Sequence, residues 1–286
     1  MAHFDHSLSG LEAIITGGTD GIGRETVKAL ALKGASVTFL GRDKAKGDAV
    51  INACRAAGAH SVRFFPCDLS RQGSIHSVAD TILKFVPKID ILVNNAGGYF
   101  ASRRVSGDGI EMTFGLNHLA YFLLTHLLLE RIKASGPGRI VNVSSRLHMQ
   151  GALDFDDLEM KQRYNGLKAY NNSKLANVMF TYALARRLKG SGVTVNCLHP
   201  GFVASSFGHN NFGFMGTALW LAQKIAAISP EKGARTSVYL ASSPDVAGVT
   251  GKYFSDSKEM ASSPVSYDET LQERLWSVSA DMTGVG

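Results

Sequence analysis

Thr16-Gly17-Gly18-Thr19-Asp20-Gly21-Ile22-Gly23 follows the apolar run Leu11–Thr16 and leads directly into a helical pattern over Gly21–Leu32. The glycines allow a tight turn and let backbone amides approach a pyrophosphate, and the helix N-terminus adds positive partial charge at the same place. Gly23 lets helix and strand pack closely. A glycine-rich turn alone is a weak signal. This one ends a strand, opens a helix and stands near the chain start, the context a dinucleotide site requires. It lacks a Gly-Lys-Ser/Thr ending, so a P-loop is not supported.

Working outward, short apolar runs alternate with helical patterns. Leu11–Thr16, Ser36–Leu40, Ser61–Cys67, Ile89–Asn94, Arg139–Ser144, Thr194–Leu198 and Gly251–Phe254 read as strands. Several are continuously apolar, as parallel strands covered on both faces are. Gly21–Leu32, Lys44–Ala57, Gly73–Phe85, Ile110–Ala134, Lys168–Lys189 and Glu231–Leu240 read as helices. The alternation gives βαβ units and, with right-handed crossovers, a doubly wound parallel α/β sheet of about seven strands. With no repeat or linker, residues 1–286 are expected to form one domain. Ser266-Tyr267-Asp268-Glu269 looks like a capping box that starts a terminal helix over 266–280, with Leu271, Leu275 and Val278 on its buried side. Residues 203–229, rich in glycine and aromatics, are expected to form a lid over an apolar pocket.

The second strand ends Phe39-Leu40-Gly41-Arg42. Folds that bind NAD usually place a carboxylate there for the ribose 2′-hydroxyl. Here Gly41 removes the carboxylate and Arg42 can pair with a 2′-phosphate, so NADP(H) is favoured over NAD(H). Asp43 reads as the N-cap of the next helix.

Tyr170-Asn171-Asn172-Ser173-Lys174 puts a phenol and an ammonium one helical turn apart on one face. The ammonium is expected to lower the pKa of Tyr170, which can then exchange a proton near neutral pH. Ser145, at the carboxyl end of an apolar strand, can hydrogen-bond a substrate oxygen. Asn94-Asn95-Ala96-Gly97-Gly98 follows another buried strand with small residues that let a cofactor lie close to backbone. Asn117 is an amide inside an apolar helical stretch and must find partners. His199-Pro200-Gly201-Phe202-Val203-Ala204-Ser205 forms a further loop at a strand end.

The totals exclude other classes. The 286 residues carry a formal charge of +6, with Lys and Arg scattered rather than clustered, so nucleic acid is not an expected partner. Three well-spaced cysteines, Cys54, Cys67 and Cys197, fit a reducing compartment and no disulfide framework. Met1–Gly10 is polar without a signal core, and the most apolar window, Leu116–Leu129, is short and interrupted by polar residues. A cytoplasmic protein with no transmembrane span is expected; peripheral membrane contact stays open. His118, His126 and His199 lack metal-ligand spacing, so no metal is expected. Asp154, Asp156, Asp157 and Glu159 read as a solvated loop, and Ser144-Ser145 is not a Gly-x-Ser-x-Gly elbow.

In this order, Thr16–Gly23, Asn94–Gly97, Asn117, Ser145, Tyr170–Lys174 and Pro200–Ser205 make the whole chain resemble the short-chain dehydrogenase/reductase family, with a Rossmann-like fold. Within it, the stretches from Leu116, Arg139 and Lys174, the insertion Leu153–Tyr164 and the tail from Tyr253 resemble the retinol-dehydrogenase-like branch. The resemblance implies a carbonyl–alcohol oxidoreductase in which Tyr170 is the acid/base and Ser145 orients the substrate oxygen. Lys174 lowers the phenol pKa and holds the nicotinamide ribose, and Asn117 supports a water chain to Lys174. It implies that Gly17, Thr19, Gly21, Ile22 and Gly23 line the pyrophosphate, Asp68 and Leu69 face adenine, and Asn95, Ala96 and Gly97 face the adenosine side. Pro200, Gly201, Val203 and Ser205 would hold the nicotinamide; Ser205 stands where Thr is more usual and keeps the hydroxyl. Membrane-bound retinoid enzymes of the branch carry a hydrophobic N-terminal anchor, a pattern that Met1–Gly10 does not show. A homodimer through the helices 110–134 and 168–189 is also carried over. Reduction of an apolar aldehyde or ketone (retinoid, steroid, lipid aldehyde or xenobiotic) is the expected activity. The alternative is a non-catalytic NADP(H)-binding redox sensor.

Overall fold

The computed structural model describes residues 7–59, 61–201 and 228–285. Among them, eight strands form one sheet: β1 (Glu12–Thr16), β2 (Ser36–Gly41), β3 (Val62–Pro66), β4 (Ile91–Asn94), β5 (Arg139–Val143), β6 (Thr194–Leu198), β7 (Lys252–Ser255) and β8 (Lys258–Met260). Their order is β3-β2-β1-β4-β5-β6-β7-β8. The first seven are parallel, and β8 turns back antiparallel on β7. The described helices of more than two turns are α1 (Gly21–Leu32), α2 (Lys44–Ala56), α3 (Gln72–Phe85), α4 (Ala120–Ala134), α5 (Gly166–Arg187), α6 (Pro230–Ser242) and α7 (Glu269–Thr283). The doubly wound α/β fold expected from the alternation is present. The eighth strand is an addition to the seven read from sequence.

Strand periodicity divides the core into two layers. Ala13 and Ile15 of β1 point to one face, where they join Val27 and Leu30 of α1 and Leu240 of α6. Ile14 points to the other, with Ile75 and Ile82 of α3, Leu123 and Leu128 of α4, and Phe180 and Leu184 of α5. Burial on both faces is why these strands read as unbroken apolar runs. Asp43 caps α2 as expected, its Oδ1 accepting from Lys46 N at 3.0 Å.

The sequence reads 110–134 as one helix. The structure gives a single α turn at Met112–Phe114, a π-helical stretch at Gly115–Leu119 and only then α4. The combined run Met112–Ala134 is long and apolar enough to cross a membrane by composition, longer than the Leu116–Leu129 window; 72% of its 18-residue apolar window is buried inside the fold. The terminal helix also differs. Its N-cap is Asp268, whose side chain accepts from Leu271 N at 3.0 Å. Ser266 lies in a 3-10 turn at Pro264–Tyr267, and its hydroxyl bonds Ser262 Oγ at 2.7 Å and Ser263 O at 2.6 Å, so it cannot cap. Leu275 is buried, while Leu271 and Val278 are half-buried.

Helix α7 lies on α4 and α5. Trp276 sits against Phe122 and Phe180, ring centroids 5.0 and 5.9 Å away, under the Arg187 guanidinium at 3.8 Å. Arg186 and Arg187 both reach Glu273. Part of the helix surface carried over as a dimer face is thus covered by the chain's own terminus.

Candidate active site

The carboxyl ends of β1, β4, β5 and β6 lie side by side, because Ile15 registers with Val93, Asn94 with Asn142, and Val143 with Leu198. The order reverses at β1, between β2 and β4, which is where α/β sheets open a ligand crevice. There, Thr16 Oγ1 accepts from Asn95 N at 2.8 Å and Ala96 N at 3.0 Å, and Asn95 Nδ2 donates to Thr16 O at 2.9 Å. These bonds lock the loop after β4 to the glycine turn.

That turn fits a pyrophosphate cradle. Gly17 and Gly21 have φ of +67° and +52°, which side-chain-bearing residues rarely adopt. Gly23 has no room for a side chain: a Cβ there would lie 2.1 Å from Gly17 O and 2.5 Å from Asn95 Nδ2. Thr19 and Ile22 are half-buried around it. Thr19 fills the space at the end of β2, where a Cβ on Gly41 would meet its Cγ2 at 2.6 Å. Arg42 is exposed and makes no hydrogen bond or ion pair among the described residues. Lys46 pairs with Asp20 at 3.1 Å, and Asp20 caps α1 through Gly21 N at 2.7 Å.

Tyr170 and Lys174 lie on one face of α5, almost wholly buried. The Tyr170 phenol stands close enough to the Ser145 side chain for that group to act downward on its pKa. Ser145 Oγ also accepts from Leu147 N at 3.2 Å, which orients it. Lys174 Nζ donates to Val143 O at 3.1 Å and stands 5.7 and 5.8 Å from the ring centroids of Tyr170 and Tyr121. Burial lowers its pKa to about 8. The expected depression of the phenol is absent: burial pushes Tyr170 up to about 12, with only the Ser145 side chain acting downward. Desolvation dominates in this pocket, and the ammonium is held towards the Val143 carbonyl.

Asn117 is fully buried inside the π-helical stretch. Its Oδ1 accepts from Gly98 N at 2.8 Å, and its Nδ2 donates to Gly98 O and Ser173 Oγ, both at 3.0 Å. It therefore staples the loop after β4 to α5. Gly97 is exposed beside it, and a Cβ there would lie 3.5 Å from Lys174 Nζ.

The remaining predicted positions scatter more. Asp68 is half-buried, its Oδ1 accepting from Ser70 N and Ser70 Oγ at 3.1 and 2.7 Å. Leu69 is a core residue, packed with Ile75 and Leu119's neighbour Ala120 rather than presented to solvent. Pro200 is half-buried, and Gly201 is exposed with φ +85°. Val203, Ser205 and the expected lid lie outside the described residues, apart from Ile228 and Ser229. The acidic insertion is tied down more than expected: Glu159 Oε2 accepts from Glu111 N at 3.0 Å, and Glu111 in turn accepts from Tyr164 OH at 3.1 Å.

Sequence reasoning missed several supporting side chains. Ser144 Oγ donates to Lys174 O at 2.7 Å, and Asn172 Oδ1 accepts from Ala152 N at 2.9 Å. Tyr99 meets the Tyr170 ring edge-on at 6.2 Å. Each stands next to a motif residue, so adjacency was the one available signal.

The family model for short chain dehydrogenase matches residues 12–213. Human retinol dehydrogenase 13 is 42% identical over 289 residues, covering 98% of this chain and 86% of that protein. Mouse retinol dehydrogenase 14 is 40% identical over 291 residues, covering 97% and 87%. The solved structure of an uncharacterized protein from Mycobacterium paratuberculosis superposes with a TM-score of 0.79 at 30% identity, covering 98% of this chain and 96% of that one. A short chain dehydrogenase from Burkholderia cenocepacia in complex with NADP gives 0.69 at 26%, covering 87% and 97%. The chain belongs to the short chain dehydrogenase family and is an oxidoreductase. Within that family its similarity is to the retinol dehydrogenases.

Proposed function

We propose that this chain interconverts carbonyl and alcohol groups on an apolar small molecule with NADP(H), and that Tyr170 is its acid/base. The observation that carries the proposal is the buried Tyr170–Lys174 pair on one helix face, Nζ 5.7 Å from the phenol ring, with Ser145 beside the phenol and on the same edge of the sheet as the glycine cradle. Cofactor binding alone has no use for it. A carbonyl oxygen placed between the two hydroxyls would accept from both.

When bound, NADPH supplies the hydride. Gly17, Thr19, Gly21, Ile22 and Gly23 hold its pyrophosphate, and Asn95, Ala96 and Gly97 its adenosine side. Arg42 holds its 2′-phosphate, and Pro200 and Gly201 its nicotinamide. Two solved relatives besides the Burkholderia enzyme were captured with NADP, which supports the same cofactor here. Ser145 orients the substrate oxygen and Tyr170 gives it a proton. A phenol raised to about 12 is fully protonated at neutral pH, which suits reduction. Lys174 keeps a positive charge beside that phenol. The relatives named retinol dehydrogenases make a retinoid aldehyde the first substrate to try.

The test is loss of reduced-nicotinamide absorbance with NADPH and a panel of aldehydes and ketones that includes a retinoid aldehyde. Turnover supports the enzyme; NADPH binding without turnover across the panel supports the redox sensor. Two further results are expected. Arg42→Asp removes a charge-assisted bond and adds repulsion, so the ratio of kcat/KM for NADPH over NADH should fall about ten- to a hundredfold. An unmoved ratio removes Arg42 from the cofactor site. The Lys174 ammonium is present below about pH 8 and lost above it. Reductive kcat should therefore be level at neutral pH and fall through that value. Lys174→Arg, whose charge persists, should move the fall upward by about a unit or more; a limb that stays put assigns it to another group.

A further inference from the structure

Around the Ser145 carbonyl stands a buried cluster that the proposed chemistry does not use. His148 is 1% exposed and sits in the 3-10 turn Arg146–Gln150 that Ser145 caps. The Ser145 carbonyl accepts from His148 N at 3.0 Å and from His148 Nδ1 at 2.8 Å. Across the ring, Nε2 lies 3.0 Å from Ser263 N. A backbone amide can only donate, so Nε2 carries the lone pair and Nδ1 the proton. Burial, which lowers the pKa of His148, favours this neutral form. Only one tautomer satisfies both ends, and it aims its N–H at Ser145.

The cluster continues. Tyr253 OH lies 2.8 Å from His199 Nδ1 and 3.3 Å from His148 Nδ1. His199 Nε2 lies 3.1 Å from Ser255 Oγ. With the His148 proton turned to Ser145, the Tyr253 hydroxyl has two other partners, Ser145 O at 3.5 Å, to which it donates, and His199 Nδ1, where the His199 tautomer sets the direction. The Tyr253 ring stacks on His199, centroids 5.6 Å apart at 22°, and packs on His148 at 4.7 Å. His199 begins the Pro200–Gly201 turn. One hydrogen-bonded array thus joins the loop after β5, the loop after β6, and the β7–β8 end of the sheet.

We propose that His148 is a positioning residue: it fixes the Ser145 backbone so that the serine hydroxyl faces Tyr170, with Tyr253 and His199 anchoring the array to the nicotinamide-side turn. The inference rests on the roles proposed above for Ser145 and Tyr170. It acts through Ser145 and requires no contact between His148 and substrate.

Three variants separate positioning from packing. His148→Asn puts an amide N–H where Nδ1 stands and keeps the donor to Ser145 O. His148→Gln fills the space better but places its amide at the Nε2 end, and His148→Leu has neither bond. Reductive kcat, KM for the carbonyl, the NADPH Kd by fluorescence titration and Tm are measured for each. Positioning gives His148→Asn most of the unsubstituted kcat and costs Gln and Leu about ten- to a hundredfold, the scale on which outer-shell partners act. The NADPH Kd stays within about twofold throughout, because the glycine cradle is untouched. A packing role gives the opposite order, with kcat following Tm and Gln ahead of Asn. That order, or wild-type kcat in all three, overturns the inference while leaving the proposed function standing. If Leu fails to fold, the Asn–Gln order decides. Absence of any turnover in the unsubstituted protein overturns the functional reading, and this inference falls with it.

Discussion

Replacing Tyr170 by Phe should lower kcat for carbonyl reduction about 10²–10⁴-fold, the range that a positioned proton donor contributes. The ring remains and only the hydroxyl goes. Its contact with Tyr99, edge-on at 6.2 Å, and the burial of residue 170 are both compatible with phenylalanine. Ser145 Oγ keeps its bond from Leu147 N at 3.2 Å. Folding should therefore change little, and the NADPH Kd by less than about threefold, since the cradle lies at a different strand end. The defect should appear in single-turnover rates with bound NADPH, where cofactor release plays no part. The reverse reaction carries a second signature. A phenol at about 12 is a ready acid and a poor base, so alcohol oxidation should climb with pH where reduction does not. A Tyr170→Phe enzyme with wild-type kcat would remove the phenol from the mechanism and return the site to the redox-sensor reading.

The sequence made the frame legible because both signals behind it are local. Alternating apolar runs and helical spacing need only a window of neighbouring residues, and β1, α1 and the glycine turn sit where the pattern puts them. What it missed depends on contacts distant in sequence. The widened π-helical turn at Gly115–Leu119 goes with the Asn117–Gly98 and Asn117–Ser173 bonds, which no helical periodicity reveals. Strand β8 has three exposed residues and no alternation, and it is entered through Asp256-Ser257, both at positive φ, a weaker hairpin signal than Asn-Gly. The capping-box reading chose Ser266 because Ser-x-x-Glu fits. Ser263-Pro264 starts a tight turn first, which draws that hydroxyl to Ser262 and Ser263. Apart from Asn117 in the π-helical stretch, the described motif residues come together because each follows a strand end or lines α5. The His148–Tyr253–His199 array comes from three separate segments, and none of its members stands in a recognisable spacing. The direction of the phenol pKa is not legible locally for a related reason: one helical turn fixes the Tyr170–Lys174 separation, but only the fold determines the burial that raises it.

Gly23→Ala should weaken NADPH binding about a hundredfold or more, although alanine is the better helix former. Backbone conformation is not the obstacle, because Gly23 is not among the positive-φ glycines. Space is. The added methyl would lie 2.1 Å from Gly17 O, 2.8 Å from Gly17 C and 2.5 Å from Asn95 Nδ2. Two of these are backbone atoms, which cannot rotate away. The third belongs to a side chain that donates to Thr16 O at 2.9 Å and Gly17 O at 3.3 Å. Relief therefore requires the start of α1 to move off the glycine turn, and the amides that would meet a pyrophosphate move with it. Losing two charge-assisted bonds of about 1.5 kcal/mol each corresponds to the stated hundredfold. Overpacking should also cost about 1–3 kcal/mol of stability, seen as a lower Tm without cofactor. Gly73→Ala is the matched control: a Cβ there meets nothing within 4 Å, and the residue stands in the first turn of α3. It should leave NADPH affinity unchanged and Tm equal or slightly raised. Were Gly23→Ala to bind NADPH like the control, the close seat of α1 on the turn would not be what builds the cofactor site.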